Sequence, residues 1–199
     1  RPVASLTKVM TALLVLQRRA LDDVVVVSPL AVFESDDYGA SSTLGLRAGE
    51  RRTVRELLDA LMLQSANDAA SALAIEISGS EARFVALMND RARVLGMRDT
   101  EFFSPSGLDD RGRSTARDLL TLTRAAYATK GFGQIVSAKS RTIGAPQGPP
   151  RHVQNRNALL WLYPGAIGVK TGFTAGAGYC LIATAQRGDR RLIAIVLGD

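Results

Sequence analysis

The chain has one cysteine, one histidine and one tryptophan in 199 residues, and only four lysines among its 25 lysine and arginine residues. A single cysteine, Cys180, excludes an internal disulfide framework. A lone histidine, His152, leaves no His/Cys cluster at metal-ligand spacing, so neither a metal nor another cofactor is expected. Cys180 lies in the apolar run Tyr179-Cys180-Leu181-Ile182-Ala183 and reads as a buried small hydrophobe rather than a nucleophile. His152, among Pro149, Pro150 and Arg151, reads as an exposed loop residue. No apolar run approaches the ~20 residues of a membrane helix. Aromatics make up 6% of the chain and do not interleave with its arginines, so the formal charge of +6 carries no nucleic-acid signature. That charge suits an anionic wall or membrane surface as well as it suits nucleic acid, and an arginine-rich composition with no binding role best of all.

What remains is an ordinary globular composition, 46% hydrophobic and 22% charged, long enough for one domain or two small lobes around a substantial core. From Leu6 to Leu16 apolar residues occur on nearly every side, which describes a helix buried all round with Ser5 at its first turn. Val24-Val25-Val26-Val27 reads as a strand, and the Ser-, Gly- and Asp-rich stretch from Phe33 to Gly49 as a loop. Thr53 and Glu56 have capping-box spacing ahead of Leu57, Leu58, Leu61 and Met62, so a helix should end near Gln64. Further helices are expected over Asp68–Ile77, stopped by Gly79, and over Ser80–Leu95, with Phe84, Leu87, Met88 and Leu95 inward. Another should start at Ser114 and run through Tyr127. Beyond Gly131 come the breakers Gly144, Pro146, Gly148, Pro149 and Pro150. Strands follow at Tyr179–Gln186 and Arg191–Leu197, joined by Arg187-Gly188-Asp189-Arg190. That Arg-Gly-Asp triplet suits a tight turn for conformational reasons alone.

Three short patterns carry chemistry. In Ser5-Leu6-Thr7-Lys8 the serine and lysine sit three apart and so face the same way on a helix, where an amine can take a hydroxyl proton. Burial in an apolar helix would lower the pKa of Lys8. Ser65-Ala66-Asn67 falls in the turn between two expected helices. Lys170-Thr171-Gly172, flanked by Gly168, Gly176 and Gly178, reads as a strand edge that lets another backbone approach closely. Each pattern taken alone is also explained by caps, turns and chance. Lysine usage weighs against chance, since two of the four lysines fall in these patterns and only an amine, not a guanidinium, can be deprotonated.

In their joint order and spacing these segments resemble the penicillin-recognising serine enzymes, specifically the low-molecular-weight D-alanyl-D-alanine carboxypeptidases. Ala4–Ala12, Gln64–Ala69, Ser114–Asp118, Asn155-Arg156-Asn157 and Lys170–Thr174 are similar to family segments in family order. The resemblance implies an α/β (α+β) fold with an antiparallel sheet flanked by helices and a helical lobe. Residues 1–40 with 150–199 would form the sheet-bearing lobe, and residues 41–149 the mainly helical one. It implies that Ser5 attacks the penultimate D-Ala carbonyl of a peptidoglycan stem peptide, Lys8 accepts its proton, and Ser65 relays a proton to the leaving amine. Asn67 would bind the substrate amide, and Lys170 would hold the Ser65 hydroxyl and add positive potential. Thr171, Thr174 and Arg156 would receive the terminal carboxylate, and Gly172 would let the substrate lie close. The N–H groups of Ser5 and Phe173 would form the oxyanion hole. β-Lactams would acylate Ser5.

The resemblance further implies an extracytoplasmic bacterial enzyme of the cell wall, peripherally associated with wall or membrane. Family members carry strands and a helix before the serine pattern and a helix after the last strand, so a chain running from Arg1 to Asp199 is expected to be a trimmed core. Ser106 stands where some relatives carry His. Phe173 also occurs in relatives that cut crosslinks, which keeps a DD-endopeptidase as the nearest rival. A β-lactamase would need a Glu-bearing loop before Lys170, and none is evident. A penicillin sensor without turnover is the remaining alternative.

Overall fold

The apolar run near the start of the chain does form a helix, and it is the centre of the molecule. In the computed structural model, which describes residues 1–32, 42–144 and 150–199, Ala4–Thr7 form a 3-10 turn that passes directly into helix α1, Lys8–Leu16. Every residue from Lys8 to Val15 is buried. α1 is enclosed by α3 (Asn67–Ser78), α4 (Glu81–Val94), α5 (Ala116–Tyr127) and α6 (Phe132–Val136). A helix without a polar face can be stable only in such a position.

Local signals set most boundaries. Thr53 Oγ1 accepts the Glu56 N–H and Glu56 returns a carboxylate to the Thr53 N–H, so the capping box opens α2, Val54–Asp59. The helix then widens into a π-helical turn, Ala60–Gln64, that ends at Ser65 in a left-handed conformation (φ 70°). α3 stops at Gly79, and α4 buries Phe84 and Met88 while Leu87 and Leu95 pack partly buried against the core. α5 starts two residues later than expected. Thr115 is its cap, accepting from the Asp118 N–H, whereas the Ser114 hydroxyl is 2.7 Å from that of Thr100.

Among the described residues seven strands make three antiparallel sheets. β1 (Val24–Val26) pairs with β2 (Arg51–Thr53), and β3 (Ser140–Ile143) with β4 (Arg151–Gln154). β5 (Ala166–Thr174), β6 (Gly178–Arg187) and β7 (Arg190–Leu197) form the third, in sequential order. A short helix α7, Leu159–Leu162, leads into β5. The link at Arg187–Arg190 is the expected tight hairpin, with Arg187 opposite Arg190. The β3–β4 hairpin was not anticipated, and it corrects the reading of His152: exposed, but on a strand, with Nδ1 3.0 Å from Thr142 Oγ1. Of the expected loop at 33–49, residues 33–41 lie outside the described residues, and 42–49 contain neither helix nor strand. Among the expected breakers, Pro146, Gly148 and Pro149 also lie outside them.

The inner face of the third sheet packs on α5, α6 and the 3-10 turn, and Cys180 and Ile182 are buried there. The result is an α/β arrangement in which the edge strand β5 lies against the turn that carries Ser5. No helix among the described residues is long and apolar enough to cross a membrane.

Candidate active site

Ser5 sits on a turn held in shape by close contact. Ala4, immediately before it, has φ 47°, a left-handed conformation that costs a residue with a Cβ about 1–2 kcal/mol. Two glycines frame the turn. A Cβ on Gly107 (φ 79°) would come 2.0 Å from the Ala4 carbonyl oxygen and 2.8 Å from Thr7 Oγ1. A Cβ on Gly172 would come 3.1 Å from the Ser5 nitrogen. Glycine at 172 is therefore what lets β5 press against the Ser5 N–H, one of the first-turn donors that a helix leaves without an internal partner.

Lys8 is wholly buried. Its Nζ lies 2.9 Å from Ser5 Oγ, 2.7 Å from Asn67 Oδ1 and 2.6 Å from the Ser106 carbonyl oxygen. Burial, chiefly, with the positive charges of Lys170 and Arg156, pushes its pKa well below the ordinary lysine value, and Asp68 opposes that shift. A neutral amine has two N–H donors and one lone pair. Asn67 Oδ1 and the Ser106 carbonyl can only accept, so in that form they take both donors and the lone pair is left for the Ser5 hydroxyl.

The second pattern is tied down by its neighbour. Asp68, buried at the start of α3, accepts the backbone N–H groups of Leu44, Gly45, Leu46 and Ala69 at 2.9–3.0 Å. The Asn67 N–H donates to the Ser42 carbonyl at 2.8 Å, and Gln64 Nε2 to that of Thr43 at 2.7 Å. Residues 42–46 are thus stitched to Gln64, Asn67 and Asp68 on either side of Ser65, and Ser42 lines the cleft. Sequence reading missed this role. An acid directly after the asparagine was its only trace.

Lys170 is also buried, and its pKa is lowered to about 7, by burial first and Arg156 second. Its Nζ donates to the Thr171 carbonyl at 2.8 Å rather than to Ser65 Oγ. Arg156 is held by the two asparagines around it. Asn155 donates to the carbonyls of Val136 and Ala138 and accepts the Asn157 N–H, while Asn157 accepts the Leu159 N–H.

One cleft of about 630 Å³ brings together Ser5, Ser65, Asn67, Arg156, Thr171, Gly172 and Phe173, a size suited to a small peptide end. Lys8 and Lys170 stand behind its surface. Thr174 lies apart from it: its hydroxyl donates to Asp110 Oδ1 at 2.5 Å and accepts the Ala177 N–H. Ser106 contributes its carbonyl, a backbone group, so the side chain at that position does not determine the contact with Lys8.

Comparison with known proteins points one way. A family described as D-alanyl-D-alanine carboxypeptidase matches residues 1–199. The chain is 42% identical over 208 residues to the Salmonella typhimurium D-alanyl-D-alanine carboxypeptidase DacD, covering all of this chain and 52% of that protein. The structure of Escherichia coli penicillin binding protein 6B superposes with a TM-score of 0.91 at 40% identity, over 100% of this chain and 64% of that one. A Streptomyces DD-transpeptidase superposes with a TM-score of 0.89 at 36% identity, over 100% and 80%. The chain spans about half to two thirds of the length of the first curated relatives it matches.

Proposed function

We propose, from the premise that the chain belongs to the D-alanyl-D-alanine carboxypeptidase family, that it carries the catalytic centre of a serine DD-carboxypeptidase acting on peptidoglycan stem peptides that end in D-Ala-D-Ala. The observation that carries the reading is the Lys8 amine, buried and with both donors engaged, 2.9 Å from Ser5 Oγ. The hydroxyl proton passes to Lys8 as Oγ attacks the penultimate D-Ala carbonyl, and the oxyanion forms against the N–H groups of Ser5 and Phe173. As the tetrahedral intermediate collapses, Ser65 relays the proton held by Lys8 to the departing D-Ala amine, which leaves Lys8 neutral and Ser65 a hydroxyl again. Water then cleaves the Ser5 ester and releases the shortened peptide.

Asn67 holds the substrate amide, and Thr171 with Arg156 receives the terminal carboxylate. Lys170, bonded to the Thr171 carbonyl, serves by its charge and by fixing Thr171. Thr174, committed to Asp110, has no part in this reading. The setting is the bacterial cell wall outside the cytoplasmic membrane, with peripheral attachment to wall or membrane. A β-lactam stops the cycle at the acyl-enzyme because its opened ring stays on Ser5.

The test is intact mass after incubation with a reactive penicillin, beside D-Ala release from a pentapeptide stem. A single adduct on Ser5 and release of D-Ala, both lost in Ser5→Ala, are expected. An unchanged mass overturns the reading. Products from a crosslinked dimer distinguish carboxypeptidase from endopeptidase action.

A further inference from the structure

Outside the cleft, three large apolar side chains stand in the open at the far end of helix α7. The helix changes character along its length: Leu159 lines the cleft, Leu160 is buried, and Trp161 and Leu162 turn outward. Every residue from Trp161 to Gly165 is exposed, with Trp161 at 43%, Leu162 at 77% and Tyr163 at 45%. Adjacent apolar groups left uncovered in this way mark a contact surface.

The β6–β7 hairpin supplies the charge beside them. Arg187 donates to Tyr163 Oη at 3.0 Å, and its guanidinium lies 5.2 Å from the centre of the same ring. Arg190 stands directly opposite Arg187 in the ladder. Like charges so placed repel, and among the described residues no carboxylate pairs with either arginine. An external anion would relieve that repulsion. The surface is also built in advance, because the Gln186 N–H donates to the Gly165 carbonyl at 2.8 Å and locks the end of α7 onto the hairpin. A Cβ on Gly165 (φ 93°) would come 2.7 Å from the Gln186 carbonyl oxygen, so the approach depends on glycine.

Taking from the reading above only its setting, the outer face of the membrane, we propose that Trp161, Leu162 and Tyr163 with Arg187 and Arg190 form a docking surface for an anionic phospholipid bilayer. The chemistry matches on three counts. Tryptophan and tyrosine favour the headgroup level, a projecting leucine reaches the acyl boundary, and two uncompensated guanidiniums suit a layer of lipid phosphates. The chain's formal charge of +6 acts in the same direction. The core of a protein interface would instead be depleted of charge. Docked in this way, the cleft lies one helical turn from the bilayer, at Leu159.

Trp161 is the chain's one tryptophan, so its fluorescence reports directly on the surface. Vesicles of phosphatidylglycerol with phosphatidylcholine are titrated into the chain at low salt, beside vesicles of phosphatidylcholine alone. The emission should shift to the blue and become open to a quencher carried by the lipid with the anionic vesicles only, and raised salt should weaken the binding. By cosedimentation, Arg187→Gln combined with Arg190→Gln should weaken binding about twentyfold, and Leu162→Ser about fivefold. If the double variant does not fold, Arg190→Gln alone decides, since it leaves the contact with Tyr163 in place. An unshifted emission, equal binding to neutral vesicles, or binding untouched by these substitutions overturns the docking surface. So does a dimer that Leu162→Ser dissolves, for a second copy would then be what covers the patch. The Ser5 adduct with penicillin, measured on the same samples, separates the two readings: an adduct without vesicle binding overturns only the docking surface, and vesicle binding without an adduct overturns only the carboxypeptidase reading.

Discussion

The two walls of the cleft differ in how much is settled before any substrate arrives. On the helical wall, Lys8 is enclosed with three fixed neighbours, Asp68 accepts four backbone N–H groups, and Ala4 and Ser65 hold left-handed conformations. On the strand wall, β5 offers an open edge, and Phe173 and Tyr179 stand mostly exposed. The difference separates two tasks. A proton transfer needs groups already placed and dry, because reorganising them at the moment of reaction raises the barrier. Recognition of a peptide can wait, since burial of the aromatic pair happens only when a ligand covers it.

The comparison breaks most visibly at Lys8. Lys8→Met keeps an unbranched side chain of similar reach but removes the base. Acylation of Ser5 by a penicillin should slow by about 10²–10⁴-fold, the usual contribution of a positioned base. Stopped-flow acylation rates check this, and a loss below tenfold would move the base elsewhere.

Gly107→Ala tests whether the turn itself is built in advance. Its Cβ would meet the Ala4 carbonyl, so either the Ser5 turn or the 104–108 segment must move. Thr11, which donates to the Pro105 carbonyl, and Ser104, which accepts the Gly107 N–H, resist the second course. Overpacking and the positive φ together should lower stability by about 1–3 kcal/mol, read by denaturant unfolding, with acylation reduced alongside. The smallest expected effect is on the other wall, where Tyr179→Ala removes a mostly exposed ring and should change stability by no more than about 0.5 kcal/mol, read by denaturant unfolding.

What was legible in the sequence follows the same division. Helix α1, the Thr53 box, the stop at Gly79 and the β6–β7 hairpin rest on local rules, and each stands within a residue or two of its expected place. The three motifs identified the family because residue type and order survive in the sequence. The contacts that give them shape did not. Lys8 meets the Ser106 carbonyl, and any residue could supply a carbonyl. The π turn ahead of Ser65 departs from α-helical spacing, and the Asp68 bonds to residues 44–46 join segments more than 20 residues apart, so no periodicity reports either. The β3–β4 hairpin escaped notice because its strands are four residues each and rich in polar side chains, with one buried residue in each. Thr174 looked like part of the third motif, but Asp110, more than sixty residues earlier, claims its hydroxyl.

The central claim is that burial beside Lys170 and Arg156 makes Lys8 give up its proton far more readily than an ordinary lysine. Only four lysines, Lys8, Lys130, Lys139 and Lys170, need to be resolved in a lysine-selective NMR titration of the side-chain nitrogens. The account predicts that, as pH falls, Lys8 takes up its proton only well below the ordinary lysine value of 10.5, and that Lys170 takes up its own at about 7. The Lys8 signal should vanish from that position in Lys8→Met, which fixes its assignment. A Lys8 that becomes an ammonium at the ordinary lysine value of 10.5 would contradict the account, for its lone pair would then be unavailable to Ser5.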